Sequence, residues 1–111
     1  MKMIVAIIRP FQFQAVKNHL LKVGINGLTM THVRGYGSQL GQGHAANTQS
    51  YLGFQPKIKI ELAVPAQMAD SIVEAIIKGG QTGKVGDGKI FIYSLSQSQK
   101  IRTQEMGTYS L

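Results

Sequence analysis

The most informative stretch of the chain is a glycine-rich segment that leads into a predicted strand: Thr82-Gly83-Lys84-Val85-Gly86-Asp87-Gly88-Lys89-Ile90-Phe91-Ile92. Its three glycines permit positive φ angles and let backbone N–H groups approach an anion, and Lys84 and Lys89 add positive charge beside them. The composition therefore predicts a loop that cradles phosphate. A glycine-rich hairpin with no ligand is the alternative that this segment leaves open when taken alone.

The segment is not an ordinary P-loop, although Gly83, Gly88 and Lys89 occupy the P-loop positions. Ile90 stands where a Ser or Thr would hold Mg²⁺. A P-loop also runs into a helix, whereas Ile90-Phe91-Ile92-Tyr93 is a β-branched and aromatic run that predicts a strand. The pattern therefore argues against an ordinary P-loop nucleoside triphosphatase.

Length and composition indicate a single domain over residues 1–111, small enough that oligomerisation would add stability. No run approaches the roughly 18 apolar residues of a membrane span, and Met1 leads into a predicted strand rather than a cleavable signal, so we expect a cytoplasmic protein. The lack of cysteine excludes disulfides and thiolate ligands, and the three histidines, His19, His32 and His44, are too scattered to predict a metal site.

The net charge of +7 suggests a polyanionic partner: nucleic acid, an acidic membrane surface or a phosphorylated small molecule. The basic residues are spread singly and do not form the long runs typical of nucleic-acid tails. This distribution favours a nucleotide over a nucleic acid.

Hydrophobic periodicity predicts the order βαββαβ. The strands are expected at 3–8, 28–34, 57–64 and 90–93, with apolar helix stripes at Phe13, Val16, Leu20 and Val23 and at Met68, Ile72, Ala75 and Ile76. Gly24 is expected to end the first helix, and Gly79 and Gly80 to follow the last turn of the second, at Lys78. This order is typical of an α+β, ferredoxin-like fold with both helices on one face of a four-stranded sheet.

The first strand is apolar at odd and even positions alike, so both of its faces must be covered. Helices of this chain can cover only one face. A second copy of the protein is the simplest cover for the other, which predicts an oligomer packed sheet to sheet.

Two segments without periodicity contain further candidates. The loop over about 36–55 is rich in Gly, Gln, Ser, Asn and Thr, and an irregular loop of that length in a compact domain predicts a binding role. Lys57 follows it and could meet a bound anion, with a solvated lysine as the alternative. In the tail, about 95–111, Lys100 and Arg102 are spaced to grip phosphate oxygens, with a solvated charge pair as the alternative.

Over nearly its whole length the chain resembles the PII family of nitrogen-regulatory signalling proteins. The matching stretches are Ala6-Ile7-Ile8-Arg9-Pro10-Phe11, Gly27-Leu28-Thr29, Arg34-Gly35-Tyr36-Gly37-Ser38-Gln39, Pro56-Lys57-Ile58-Lys59-Ile60-Glu61, the 82–92 segment and Ile101-Arg102-Thr103. The resemblance implies a non-enzymatic homotrimer of ferredoxin-like subunits, with nucleotide sites in the clefts between subunits. It also implies that the long loop docks on a partner, such as a membrane transporter, its ATPase or a metabolic enzyme, and a transporter partner would bring the protein to the membrane.

The resemblance also implies which residues hold ligand. The adenine-nucleotide site (ADP or ATP) would use Ile7, Thr29, Gly35, Gly37, Ser38, Gln39, Glu61, Val64, Gly86, Asp87, Gly88 and Lys89, joined by Lys100 and Arg102 of a neighbouring subunit. Gln39 would also help hold Mg²⁺ and 2-oxoglutarate, and Lys57 would pair with a 2-oxoglutarate carboxylate. Leu40, His44, Tyr51 and Phe54 would form the docking surface of the loop.

Departures from the family pattern change two expectations. Gly37-Ser38-Gln39-Leu40-Gly41 replaces the usual Gly-Arg-Gln-Lys-Gly and removes two cations beside the outer phosphates, and Lys100 replaces an Arg. We therefore expect ADP to bind more tightly than ATP. The residues around the family's uridylylated tyrosine are also missing, so Tyr51, at about that place, is not expected to be modified.

Two other classes of protein share some of these features. An RNA-binding RRM shares the element order, and Arg34-Gly35-Tyr36-Gly37 copies the first half of its RNP1 motif. However, the third strand carries Lys57, Lys59 and Glu61 where an RRM needs stacking aromatics. An enzyme is disfavoured because the five acidic residues are unpaired and no nucleophile has a base nearby.

Overall fold

The computed structural model describes residues 1–37 and 53–111. The strands are β1 (Lys2–Ile8), β2 (Thr29–Gly35), β3 (Gln55–Val64) and β4 (Lys89–Ser94), and the helices are α1 (Phe13–Val23) and α2 (Ala69–Gly80). The predicted βαββαβ order is confirmed. No helix in these two ranges is long and apolar enough to cross a membrane.

The strands form one antiparallel sheet in the order β2-β3-β1-β4. In the register, Ile7 of β1 lies between Lys59 of β3 and Lys89 of β4. Because side chains alternate along a strand, Ile4, Ala6 and Ile8 point to one face of the sheet and Ile7 to the other.

Proline and glycine define the ends of the first helix. Pro10 opens a short 3₁₀ turn before α1, where a missing N–H removes no helical hydrogen bond. Gly24 follows the helix with φ 93°, and its amide donates to the carbonyls of Leu20 and Leu21 at 3.2 and 3.1 Å. The predicted left-handed glycine cap is confirmed.

The second helix does not end at Lys78 as predicted, because Gly79 and Gly80 form its last residues and are buried. A Cβ atom on Gly79 would lie 2.6 Å from the backbone N and Cα of Val16. This glycine is therefore a packing residue that lets α1 and α2 approach closely, and the helix continues through it.

The core lies between the two helices and one face of the sheet. Its largest fully buried side chains are Ile4, Val16, Leu20, Ile60 and Ile72. The sheet residues among them come from the two central strands, β1 and β3, as expected where apolar residues recur at every second position.

The opposite face of the sheet is only partly covered by its own subunit. Phe91 lies beside Val5, and Tyr93 beside Met3, and the two aromatic residues are 51% and 52% exposed. An apolar face of this kind needs a partner to exclude water. The sheet therefore has the second apolar face that the sequence of β1 predicts, and a single copy of the chain does not cover it.

Candidate functional site

A groove of about 530 Å³ opens at the end of the sheet where β1 and β2 end and β3 and β4 begin. It is lined by Ile7, Gly35, Tyr36, Gly37, Lys57, Lys84, Val85, Gly86, Asp87, Gly88, Lys89 and Phe91. The sheet register places these residues together, since Ile7 is paired with Lys89 and Val33, near the end of β2, with Lys57. Eight of the residues proposed from sequence meet here: Ile7, Gly35, Gly37, Lys57, Gly86, Asp87, Gly88 and Lys89.

The segment 82–88, called the glycine loop below, is built around the carboxylate of Asp87. That carboxylate accepts hydrogen bonds from the Thr82 amide (2.8 Å), the Thr82 hydroxyl (2.5 Å) and the Gly83 amide (2.9 Å). It also pairs with the guanidinium Nε of Arg9 at 3.0 Å. The Asp87 side chain is therefore used to shape the loop, and only its amide is left for a ligand.

Gly88 is fixed by a close approach of two backbones. Its φ is 99°, and a Cβ atom there would lie 1.6 Å from the carbonyl oxygen of Ile7. No other residue fits without moving β1 away from the loop. This contact holds the loop against the end of the sheet.

The glycine loop offers a run of unused backbone donors. Within the described residues, the amides of Val85, Gly86, Asp87 and Gly88 donate no hydrogen bond, unlike those of Thr82, Gly83 and Lys84. Consecutive free N–H groups in a turn form a concavity that binds anions. The ammonium groups of Lys84 and Lys89 border the same groove.

Lys57 is buried, so its interpretation as a plain solvated lysine is wrong. The residue is 8% exposed, and its Nζ donates to the carbonyl of Gly86 at 2.5 Å. Burial lowers the pKa of Lys57, the charge of Arg9 lowers it further, and Asp87 partly opposes both effects. Gly35 leaves room for this side chain, because a Cβ atom there would lie 3.3 Å from the Lys57 Cγ.

The pKa of Asp87 is lowered, whereas the pKa of a buried acid without partners is raised. Burial raises its pKa, but hydrogen bonds from the hydroxyl and amide of Thr82, from Arg9 and from the Gly83 amide outweigh burial. The net result is a pKa well below its usual value, so the carboxylate is ionised throughout the physiological range.

Five of the proposed residues lie away from the groove in the same subunit. Thr29 of β2 is paired with Glu61 of β3, two residues further along β3 than Lys59. Val64 is buried in the core and is paired with Lys2 of β1. Lys100 lies in the tail with Arg102, and its Nζ is 3.9 Å from the carboxylate of Glu105. One subunit therefore does not bring these five residues to the glycine loop.

The remaining predicted residues belong to the long loop. Ser38, Gln39, Leu40, His44 and Tyr51 lie outside the described residues. Phe54 is described, and its ring centroid is 5.4 Å from that of Tyr36 at the base of the loop. In the described parts of the chain, no group of three His, Asp or Glu side chains is placed to hold a metal ion.

Sequence reasoning missed Arg9 and Thr82 as parts of the site. Arg9 directly follows the predicted first strand, and in the structure it contacts both Asp87 and the carbonyl of Val85. A single carboxylate in an otherwise basic loop was the available signal, because such a group needs cationic or N–H partners when it is partly buried.

Comparison with known proteins identifies the family of the chain. The family model "Nitrogen regulatory protein P-II" matches residues 1–105. The P-II protein of Rhizobium etli is 45% identical over 112 residues, covering all of both chains, and P-II 1 of Escherichia coli K12 is 45% identical over 106 residues, 95% of each chain. The structure of Arabidopsis thaliana PII bound to citrate superposes with a TM-score of 0.82 at 34% identity, covering 99% of this chain and 91% of that one. The chain belongs to the PII family of nitrogen regulatory proteins.

Proposed function

We propose that this PII protein binds an adenine nucleotide in the groove, prefers ADP to ATP, and regulates a target protein through the long loop at about 36–55. The observation that carries the proposal is the run of four free amides, from Val85 to Gly88, between Lys84 and Lys89. Each charge-assisted hydrogen bond to a phosphate contributes roughly 1.5–3 kcal/mol. Two phosphates have enough donors here.

Apolar surface for an adenine ring and a citrate-bound relative give further support to the proposal. Ile7 and Phe91 border the same groove and offer apolar surface for an adenine ring. The Arabidopsis relative holds citrate, a small polyanion, on the same fold. A groove with several cations and free amides in this chain suits a ligand of similar charge.

The complete site is proposed to lie between subunits of a homotrimer. The tail that carries Lys100 and Arg102 begins at the opposite end of the sheet, where the Leu95 amide donates to the Met1 carbonyl at 3.0 Å. These two cations, like Thr29, Glu61 and Val64, can join a glycine loop only if they belong to another copy. The partly uncovered sheet face gives a second reason for assembly.

The preference for ADP rests on what stands beside the third phosphate. Ser38 and Leu40 offer no cation there, so the added charge of ATP is poorly compensated. A deficit of about 1.4 kcal/mol is a tenfold loss of affinity. Mg²⁺ and 2-oxoglutarate, which Gln39 and Lys57 would hold, matter less in that case, and a carboxylate would also compete with the Gly86 carbonyl for the Lys57 ammonium.

The output is proposed to be docking on a protein and not catalysis. Leu40, His44, Tyr51 and Phe54 would form the contact surface, and Tyr51 would serve as an aromatic anchor and not as a uridylylation site. The target is a transporter, its ATPase or a metabolic enzyme. The protein is proposed to be cytoplasmic and to reach a membrane only through such a partner.

Calorimetric titration of the wild type and of Ser38→Arg with ADP and ATP tests the nucleotide proposal. We expect wild-type ADP to bind about tenfold more tightly than ATP and Ser38→Arg to recover most of the ATP affinity. Ser71→Arg, with the same charge change on the exposed surface of α2, should have no such effect. Tighter binding of ATP by the wild type, strengthened by 2-oxoglutarate, would refute the preference, and no binding of either nucleotide would refute the site.

A further inference from the structure

Arg9 joins the end of β1 to the glycine loop through two separate contacts. Its Nε lies 3.0 Å from the Asp87 carboxylate, and its Nη2 donates to the Val85 carbonyl at 2.7 Å. The side chain is 22% exposed and is not part of the groove lining. Arg9 therefore touches the loop from behind and has no surface in the groove itself.

These contacts fix the direction of the free amides. In a planar trans peptide the C=O and N–H bonds point in opposite directions. When Arg9 holds the Val85 carbonyl, the amide of Gly86 in the same peptide plane points away from Arg9. The Lys57 ammonium does the same for the next peptide, by holding the Gly86 carbonyl so that the Asp87 amide points away.

The rest of the loop depends on the same anchor. The Asp87 carboxylate accepts three hydrogen bonds from Thr82 and Gly83, which are both exposed. The carboxylate in turn is linked to the end of β1 by Arg9. Without Arg9, the carboxylate loses its link to β1, so the hydrogen bonds by which it closes the loop open more often. The loop could then shift relative to Lys57 and Ile7.

We propose that Arg9 is the positioning residue of the cradle: its two-pronged contact aims the amide of Gly86 at the ligand and ties the loop to β1 through the Asp87 carboxylate, a role that lysine cannot fill. A lysine ammonium supplies the same charge but lacks the rigid planar fork that reaches a carboxylate and a carbonyl at once. The proposal rests on the proposed function, because it concerns the affinity of that site for nucleotide.

The first test is calorimetric titration of Arg9→Lys with ADP. We expect affinity to fall about tenfold, the effect of one lost charge-assisted hydrogen bond. The same substitution in an Asp87→Ala background should change affinity by a smaller factor, because the Arg9–Asp87 contact is already absent and only the bond to the Val85 carbonyl is left to lose. Wild-type affinity in Arg9→Lys, or an equal loss in both backgrounds, would overturn the proposal.

Hydrogen exchange separates this inference from the function on which it rests. In Arg9→Lys the amides of Thr82 and Gly83 should exchange faster, while those in the middle of α2 keep their wild-type rates, which shows that the fold is intact. If the wild type binds no nucleotide, the function fails but the exchange comparison still decides the role of Arg9. Unchanged exchange at Thr82 and Gly83 would contradict that role, and so would a uniform loss of protection across α2.

Discussion

Asp87 shows how a single acidic residue can serve an anion site without touching the anion. Its carboxylate is held by Arg9, Thr82 and Gly83, so its negative charge is neutralised locally and does not repel a phosphate. Its own amide remains free for the ligand. The side chain of Asp87 thus shapes the loop, and its backbone amide is left to bind the ligand.

The low pKa of Asp87 gives a pH-dependent prediction. The folded-state pKa lies below the ordinary value of 3.8, so the unfolded state takes up the proton first as the pH falls. The stability that Asp87 contributes is therefore complete above about pH 5 and is lost progressively below it.

Asp87→Asn should remove that part of the acid dependence and lower the free energy of unfolding at pH 7 by about 1–3 kcal/mol, through lost charge-assisted hydrogen bonds. Urea unfolding at a series of pH values, from roughly two units below pH 5 to roughly two units above it, measures both effects. Asp70→Asn is the control, since it makes the same change at an exposed position of α2. The account is contradicted if Asp87→Asn and Asp70→Asn give the same acid profile.

At the scale of secondary-structure elements, the contact between α1 and α2 depends on one glycine. Gly79→Ala would place a methyl group 2.6 Å from the backbone of Val16, so the helices would have to separate. We expect the free energy of unfolding to fall by about 1–3 kcal/mol, the usual cost of overpacking. Gly27→Ala, where nothing lies within 4 Å of the new methyl group, should be close to neutral in the same urea experiment. Equal stability of the two variants would disprove the close packing.

The elements and their order could be predicted because they depend on local patterns. Apolar spacing identified both helices, Gly24 marked a cap, and the two-sided apolar pattern of β1 anticipated a sheet face that its own subunit does not fully cover. The C-terminal end of α2 was mispredicted, because Gly79, a residue type that normally stops a helix, lies inside the helix where it contacts a distant residue, Val16.

The site was predictable in its parts but not in its connections. Glycines and lysines of the 82–92 segment indicate an anion cradle from composition alone. The Arg9–Asp87 pair joins residues 78 positions apart, and the burial of Lys57 arises only when the glycine loop closes over β3. No local pattern records such contacts, so Lys57 could be read equally well as solvated.

At the scale of the whole molecule, the proposed shared site requires further copies of the chain, and the proposed assembly is a homotrimer. Phe91→Asp places a charge on the open sheet face, in the edge strand β4, and should convert the proposed trimer to monomers, because an unpaired buried charge is strongly unfavourable. Light scattering at micromolar concentration should give about three times the 12.1 kDa chain mass for the wild type and one chain mass for the variant. Leu21→Asp, on the exposed surface of α1, should remain trimeric. A stable wild-type monomer would rule out the shared site.

The free amides of the glycine loop are proposed to bind the phosphates of an adenine nucleotide. The most direct measurement is a titration of ¹⁵N-labelled protein with ADP, followed through the amide resonances. We expect saturable shifts that are largest at Gly86, Asp87 and Gly88, because a charged acceptor replaces water at those N–H groups. Saturable ADP binding that leaves these three resonances unchanged would contradict this proposal.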